Sequence, residues 1–207
     1  ELIRAAADSR TPDHLLPPFR VMTMHEACRR YAGVDLDSVQ RLDALAAAVE
    51  SAGLHRSREP ESWEALFNRL FLTLVEPELP QDRPLILTDY PARIRCLAAG
   101  KAGTPYTARW ELYAGGVELA NCYTEEDDPE RVEAYLSTEH AEVAALRGQT
   151  GGAIPDGPTD YRSLFNAPEG SFPPASGVAL GLDRLIMLLG GYSSLEGVIL
   201  FPHSAIM

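Results

Sequence analysis

The stretch "WELYAGGVELANCYTEEDD" (residues 110–128) sets Glu111, Glu118 and Glu125 at intervals of seven, with Gly115-Gly116 between the first two. A glycine pair between two strand-like runs is a hairpin signature, because the favoured two-residue turn needs positive φ at its centre. With both glycines in the loop, Ala114 faces Val117, Tyr113 faces Glu118, Leu112 faces Leu119 and Glu111 faces Ala120. Strict alternation then puts Glu111, Tyr113, Glu118 and Ala120 on one face. Glu111 and Glu118 become diagonal neighbours, roughly 7 Å apart. Two carboxylates at that spacing can reach a common hard cation, and Mg²⁺ takes such ligands while keeping waters or phosphate oxygens elsewhere. A solvated hairpin edge is the other reading the spacing allows. Asn121, Tyr123 and Glu125 form a second alternation set, which a regular strand would send to the opposite face. If both sets serve one site, the strand needs a bulge near Leu119 to Ala120, a device that re-aims side chains beside active sites.

The second chemical stretch is "SGVALGLDRLIMLLGG" (residues 176–191). Gly177 and Gly181 flank a short strand, and Asp183-Arg184 open an apolar helix. Leu182, Leu185, Ile186 and Leu189 repeat at helical spacing. An arginine in the first turn of a buried helix must find an anion. Its planar fork suits phosphate, and the helix N-terminus adds a favourable field. Gly181 lets a ligand approach the backbone. A structural arginine paired with a nearby carboxylate is the competing reading. No GxxxxGK[ST] sequence occurs, so a P-loop is excluded.

The elements that position these residues are legible in part. "TMHEACRRYAG" predicts a helix with Thr23 as N-cap, Glu26 completing a capping box and Gly33 as the stop. "DLDSVQRLDALAAAVESAG" (35–53) predicts a second helix with Leu42, Leu45, Ala46 and Val49 on one face. "PESWEALFNRLFLTLVEPEL" (60–79) predicts a third, starting at Pro60, with Trp63, Leu66, Phe67, Leu70, Phe71 and Leu74 as a core stripe. "RPLILTDYP" reads as a short buried strand. "DPERVEAYLSTEHAEVAALRG" reads as a helix with Asp128 at the N-cap and Pro129 at N1. A Gly/Pro-rich loop is expected from Gly148 to Pro158 and a short helix at "TDYRSLF". This order predicts an α+β domain on a mainly antiparallel sheet. Residues 1–80 form its mainly helical part, and 81–207 carry the acidic hairpin and the Arg184 helix.

Composition narrows the function classes. The chain has 207 residues, 45% apolar and 23% charged, ordinary for one globular domain. Its formal net charge of −12 argues against a broad basic surface for nucleic acid. No apolar run reaches the roughly 20 residues of a membrane span, and no signal-peptide pattern opens the chain. Cys28, Cys96 and Cys122 are odd in number and widely spaced, which suits free thiols in a reducing cytoplasm. "HEACRRY" begins like a zinc helix, but Arg29 stands where the second histidine is needed. The first residue is Glu1 rather than Met, so the chain is read as beginning inside a longer gene product.

At the two chemical stretches the chain resembles class II aminoacyl-tRNA synthetases of the lysine-specific branch. "GVALGLDRLIMLL" is similar to motif 3 of that class. "RWELYAGGVELANCYTEEDDPE" resembles the acidic hairpin and amino-acid-binding strand of lysyl-tRNA synthetase. "PPFRVMTMHEA", "LILTDYPA" and "VILFP" fit the same family in the same order. The resemblance implies a class II synthetase-like antiparallel sheet flanked by helices. Within the branch, "GVALG" and "ELAN" look closer to the compact paralogue that modifies elongation factor P, in which Ala179 stands where true synthetases usually have Gly and is associated with (R)-β-lysine.

The resemblance implies a cytoplasmic ATP-dependent ligase that activates lysine or (R)-β-lysine as its adenylate. It then passes the acyl group to a lysine of elongation factor P or, in the alternative, to tRNA. A non-catalytic module sensing amino acid or nucleotide is the third possibility. Carried over, Glu111 and Glu118 hold Mg²⁺ on the ATP phosphates, and Arg184 clamps the γ-phosphate as the catalytic arginine. Asn121, Tyr123, Ala179 and Gly181 line the amino-acid pocket, and Glu125 pairs with the distal ammonium. A homodimer is implied for the full-length protein, with no membrane partner. Two positions depart from the pattern: Cys122 replaces a usual Gly, and Glu126 a usual Leu. Motif 1, which builds the dimer interface, and motif 2, with its α-phosphate arginine, are not found in these residues, so weak or absent adenylation is expected of this chain alone.

Overall fold

Gly115 and Gly116 take φ of 57° and 77°, the left-handed pair that a tight hairpin turn requires. They join β3 (Arg109–Ala114) to β4 (Val117–Thr124), the central strands of a five-stranded sheet in the order β1-β2-β3-β4-β5. The computed structural model describes residues 2–7, 11–55, 57–150 and 173–202. Strand β1 (Arg20–Thr23) pairs parallel with β2 (Leu85–Thr88), and the other three pairings are antiparallel. The sheet is therefore mixed rather than purely antiparallel. Its one parallel edge comes from within the mainly helical first 80 residues. Strand β5 (Ser176–Leu180) pairs with β4.

The helices divide between the two faces. After α1 (Leu2–Ala6), α2 (Met24–Ala32) starts on the expected capping box, in which the Thr23 side chain accepts from Glu26 N and Glu26 accepts from Thr23 N. Gly33, at φ 67°, ends it. Helix α3 (Leu42–Ser51) is shorter than expected. Asp35 binds the Asp37 amide through its side chain, and the Ser38 hydroxyl donates to the Asp35 carbonyl, so residues 35–38 turn instead of coiling. Leu45 and Val49 of the expected face are buried, whereas Leu42 is exposed.

Helix α4 (Trp63–Leu70) starts on Ser62 rather than at Pro60, with the Ser62 hydroxyl accepting from Ala65 N. It continues as a π turn over Phe71–Val75 and a 3₁₀ turn over Glu76–Glu78. Its stripe of Trp63, Leu66, Phe67, Leu70 and Phe71 is buried, and Trp63 stacks on Phe67 with centroids 5.3 Å apart. These helices pack with Leu85, Leu87 and Tyr113 as the larger core. Each fully buried Leu or Phe there contributes about 1.5–3 kcal/mol over its exposed state.

The opposite face carries a smaller core of Leu112, Ala114, Leu119, Ala120 and Leu185, the last from α6 (Leu182–Leu189). Helix α6 is not buried all round. Leu185 and Met187 are covered, but Leu182 and Ile186 are exposed, so of the expected stripe only Leu185 and Leu189 meet the smaller core. Helix α5 (Pro129–Thr150) begins as expected, with Glu130 N donating to the Asp128 side chain. It runs through Gly148 to Thr150, where a loop was expected. The rest of that loop and the "TDYRSLF" helix lie outside the described residues.

Candidate active site

The hairpin register decides which carboxylates meet. Next to the turn it runs as expected, with Ala114 opposite Val117 and Tyr113 opposite Glu118. It then shifts between Leu112 and Tyr113, so that Leu112 faces Ala120 and Glu111 faces Asn121. Leu119 is the extra residue of a β-bulge. The regular pairings of Leu112 with Leu119 and Glu111 with Ala120 are therefore replaced, and Ala120 turns to the smaller core instead of sharing the Glu111 face. The bulge changes the parity of the strand. Beyond it Asn121 and Tyr123 lie on the same face as Glu111 and Arg109, their partners across the ladder.

Strand β5 extends that face. Ala179 pairs with Asn121, and Gly177 pairs with Tyr123. A side chain at Gly177 would come 2.9 Å from Glu125 Oε1, so the Glu125 carboxylate lies directly over Gly177. Asn121 Oδ1 is buried and has no hydrogen-bond partner among the described residues. A buried acceptor left unpaired costs about 1–3 kcal/mol, so this is a place where a donor is wanted. The face thus combines an orphan acceptor, an aromatic ring and a carboxylate, a set able to bind an amine-bearing molecule.

Glu111 is buried at 6% exposure. Arg109 Nη2 donates to its Oε1 at 2.6 Å, and Tyr90 donates to its Oε2. The Tyr113 hydroxyl lies 3.0 Å from the same Oε2 and 3.2 Å from Glu76 Oε1. Burial first, and the Glu111 charge second, push the Tyr90 and Tyr113 phenols well above their ordinary range, so both stay donors at neutral pH. Alternation placed Tyr113 on the Glu111 face without giving it a role, and Tyr90, Arg109 and Glu76 were not singled out in the sequence. Arg109 and Tyr113 flank Glu111 at a spacing of two, whereas Tyr90 reaches Glu111 across 21 positions and Glu76 reaches Tyr113 across 37, for which no local pattern exists.

Glu118 lies at the other end of the hairpin. Arg184 Nη1 donates to the Glu118 carbonyl at 2.8 Å and lies 3.4 Å from its Oε2. Arg184 is not buried as its helix suggested, because its side chain is 46% exposed. Both readings of this arginine meet at one carboxylate: it is paired, and its partner is a candidate ligand. A Cβ at Gly181 would meet Arg184 Cδ at 3.3 Å, so that glycine makes room for the arginine stem.

The two departures from the family pattern fall outside this face. Cys122 pairs with Trp110 and Val178, on the side opposite Asn121 and Tyr123, so its side chain does not crowd the pocket. Glu126 accepts from Asp128 N and pairs with Arg131 at 3.2 Å, which ties down the start of α5. A recess of about 820 Å³ lies between α3 and α4 and contains none of these residues. Its walls are packing surfaces of the helical layer, and the chemistry lies on the sheet. Apart from the site, His25 Nδ1 lies 3.9 Å from Asp35 and 3.8 Å from Asp37, with Tyr106 donating to Asp37, a cluster that ties the loop after α2 to its first turn.

A mixed sheet flanked by helices, with an acidic bulged hairpin beside an arginine-bearing helix, defines a class II synthetase-type catalytic fold. Residues 1–205 match the family described as tRNA synthetases class II (D, K and N), and the chain belongs to that family. It is 37% identical over 191 residues to the lysine–tRNA ligase of Pelotomaculum thermopropionicum, covering 91% of this chain and 36% of that protein. The lysine–tRNA ligases of Moorella thermoacetica and Chloroflexus aurantiacus are 36% and 33% identical, with coverage of 91% and 90% of this chain and 37% and 36% of theirs. The chain thus spans just over a third of the length of these relatives. No helix among the described residues is long and apolar enough to cross a membrane.

Proposed function

We propose that this face binds and activates a lysine-type amino acid with ATP, as part of a lysine–tRNA ligase-type protein. The observation that carries the reading is the Leu119 bulge, which brings Glu111, Asn121 and Tyr123 to one face beside Ala179 and the Gly177–Glu125 contact. Asn121 Oδ1 takes an N–H of the amino acid, Tyr123 covers its stem, and Glu125 accepts from the distal ammonium. A half-buried carboxylate that reads the ammonium discriminates against substrates lacking it, since part of it would otherwise stay unpaired. Gly181 and Ala179 keep the β5 wall low.

In the activation step the amino-acid carboxylate oxygen bonds to the α-phosphorus of ATP, and the bond to pyrophosphate breaks. Arg184 turns part of its exposed fork to the γ-phosphate while its Nη1 stays on the Glu118 carbonyl. Two carboxylates with no thiolate or imidazole form a donor set suited to Mg²⁺, and Glu111 and Glu118 are the residues that would hold it. Bound there, Mg²⁺ supplies charge neutralisation on the phosphates. The named lysine–tRNA ligases support tRNA as acceptor of the acyl group. A second reading, transfer to a lysine of elongation factor P, is supported by Ala179, which stands opposite Asn121 on the site face.

Calorimetry tests the pocket. Asn121→Ala and Glu125→Gln should each weaken lysine binding by about tenfold or more, the loss of one hydrogen bond to a charged group. Unchanged affinity in both would remove the reading. A preference for (R)-β-lysine that reverses in Ala179→Gly would favour the elongation factor acceptor, and a preference for α-lysine in both forms would favour tRNA.

A further inference from the structure

Glu111 is crowded for a residue assigned to a cation. Its carboxylate is buried and contacted by Arg109, Tyr90 and Tyr113. These donors are themselves fixed. The Arg109 guanidinium lies 4.5 Å over the Tyr90 ring. Tyr90 is 4% exposed, and its carbonyl accepts from Thr107 N at 2.8 Å and Thr107 Oγ1 at 3.1 Å. The residue before it, Asp89, holds a left-handed φ of 61° and is paired with Lys101 at 2.5 Å. The Tyr90 hydroxyl is thus presented to Glu111 by a loop anchored on both sides.

A carboxylate offers about four lone-pair positions. Tyr90 and Tyr113 use the two on Oε2, the single Tyr113 proton going to Glu111 at 3.0 Å rather than to Glu76 at 3.2 Å, and Arg109 uses one on Oε1. We propose that Tyr90 is a positioning residue which, with Tyr113 and Arg109, leaves Glu111 a single open position on Oε1 and so makes it a one-oxygen ligand. This rests on the nucleotide-metal reading of Glu111 and Glu118. A one-oxygen grip suits Mg²⁺ and ions of its size, and it denies the larger Ca²⁺ the two-oxygen grip that helps fill its six to eight positions. The tyrosine therefore contributes to choice of cation without touching it.

Mn²⁺ with a non-hydrolysable ATP analogue is the probe, read by electron paramagnetic resonance and calorimetry on the 207-residue chain. Tyr90→Phe keeps the ring under Arg109 and removes only the hydroxyl. Affinity for the Mn²⁺ complex should fall about tenfold, as one hydrogen bond to a charged group is lost, and the preference for Mg²⁺ over Ca²⁺ should narrow. Glu118→Gln tests the underlying site. If the unaltered chain does not bind the complex, or Glu118→Gln binds as well as it does, the nucleotide-metal reading fails. If both controls behave and Tyr90→Phe keeps affinity and Mg²⁺ preference, the positioning role fails alone. If near-ultraviolet circular dichroism shows Tyr90→Phe unfolded, Tyr113→Phe tests the same Oε2 with the same expected losses. Unfolding of both variants would overturn the proposal by making the hydroxyls structural.

Discussion

Replacing Gly177 with Ala separates binding from stability. The position lies in β5 opposite Tyr123, and its backbone is not in the left-handed region. The new methyl would stand 2.9 Å from Glu125 Oε1, where ordinary contact begins at 3.4 Å. The carboxylate must therefore retreat by about half an ångström. It is the free end of a flexible side chain, so the backbone need not move. A compatible Gly→Ala change restricts the unfolded chain and stabilises by about 0.4–1 kcal/mol, equivalent to a rise in Tm of about 1–4 °C for a chain of this size. Lysine binding should move the other way. A hydrogen bond to a charged group contributes about 1.5–3 kcal/mol, so displacing its acceptor should weaken lysine about 10- to 100-fold. An analogue with a methyl group in place of the ammonium should lose little. Calorimetry with both ligands, beside a thermal melt, reads the outcome. A raised Tm with unchanged lysine affinity would refute Glu125 as the ammonium reader. Equal losses for both ligands would show the methyl closing the pocket by bulk.

Two further outcomes follow from the packing. Leu119→Ala should lower the unfolding free energy by about 2–5 kcal/mol, the usual cost at a buried leucine, because the bulged residue is 2% exposed in the smaller core; urea unfolding checks this, and a loss under about 1 kcal/mol would mean the core closes over the gap. Thr23 holds the Glu26 carboxyl below its usual range, chiefly through the Thr23 N–H. A depressed folded value makes this contribution complete above the unfolded value of about 4.3 and lost as pH falls through the lower folded one. Glu26→Gln should therefore flatten the acid limb of stability against pH, and an unchanged limb would place acid sensitivity elsewhere.

The sequence carried those features that depend on near neighbours. The capping box at Thr23 and Glu26, the Gly115-Gly116 turn and the Trp63–Phe71 stripe follow from spacings of a few residues, and the structure contains all three. The need for a bulge was legible too, because two alternation sets had to meet. Where alternatives competed locally, pattern was not enough. Leu42 has helical spacing with Leu45 but ends up exposed, since Asp35 and Ser38 hold the preceding residues in a turn. Ile186 has the period of a core residue yet lies on the uncovered side of α6. The donors around Glu111 were illegible for another reason. Tyr90 becomes its neighbour only when the loop after β2 folds against β3, and "TDYP" carries no mark of it; Arg109 stands two residues before Glu111 on one strand, but that spacing alone does not show that the two side chains pair.

The parallel edge of the sheet bears on the order of assembly. Arg20 meets Leu85 only after the chain has closed a loop of more than sixty residues through three helices. The β3–β4 hairpin needs to close two. Loop-closure entropy and slow non-local pairing favour the hairpin as an early event and β1 as a late one. The strands bearing Glu111, Glu118 and Asn121 would then be registered, bulge included, before the helical layer closes over Tyr113. When the whole chain refolds, the surface that carries the chemistry forms from the most local contacts in the sheet. The β1 edge waits on the closure of a far longer loop.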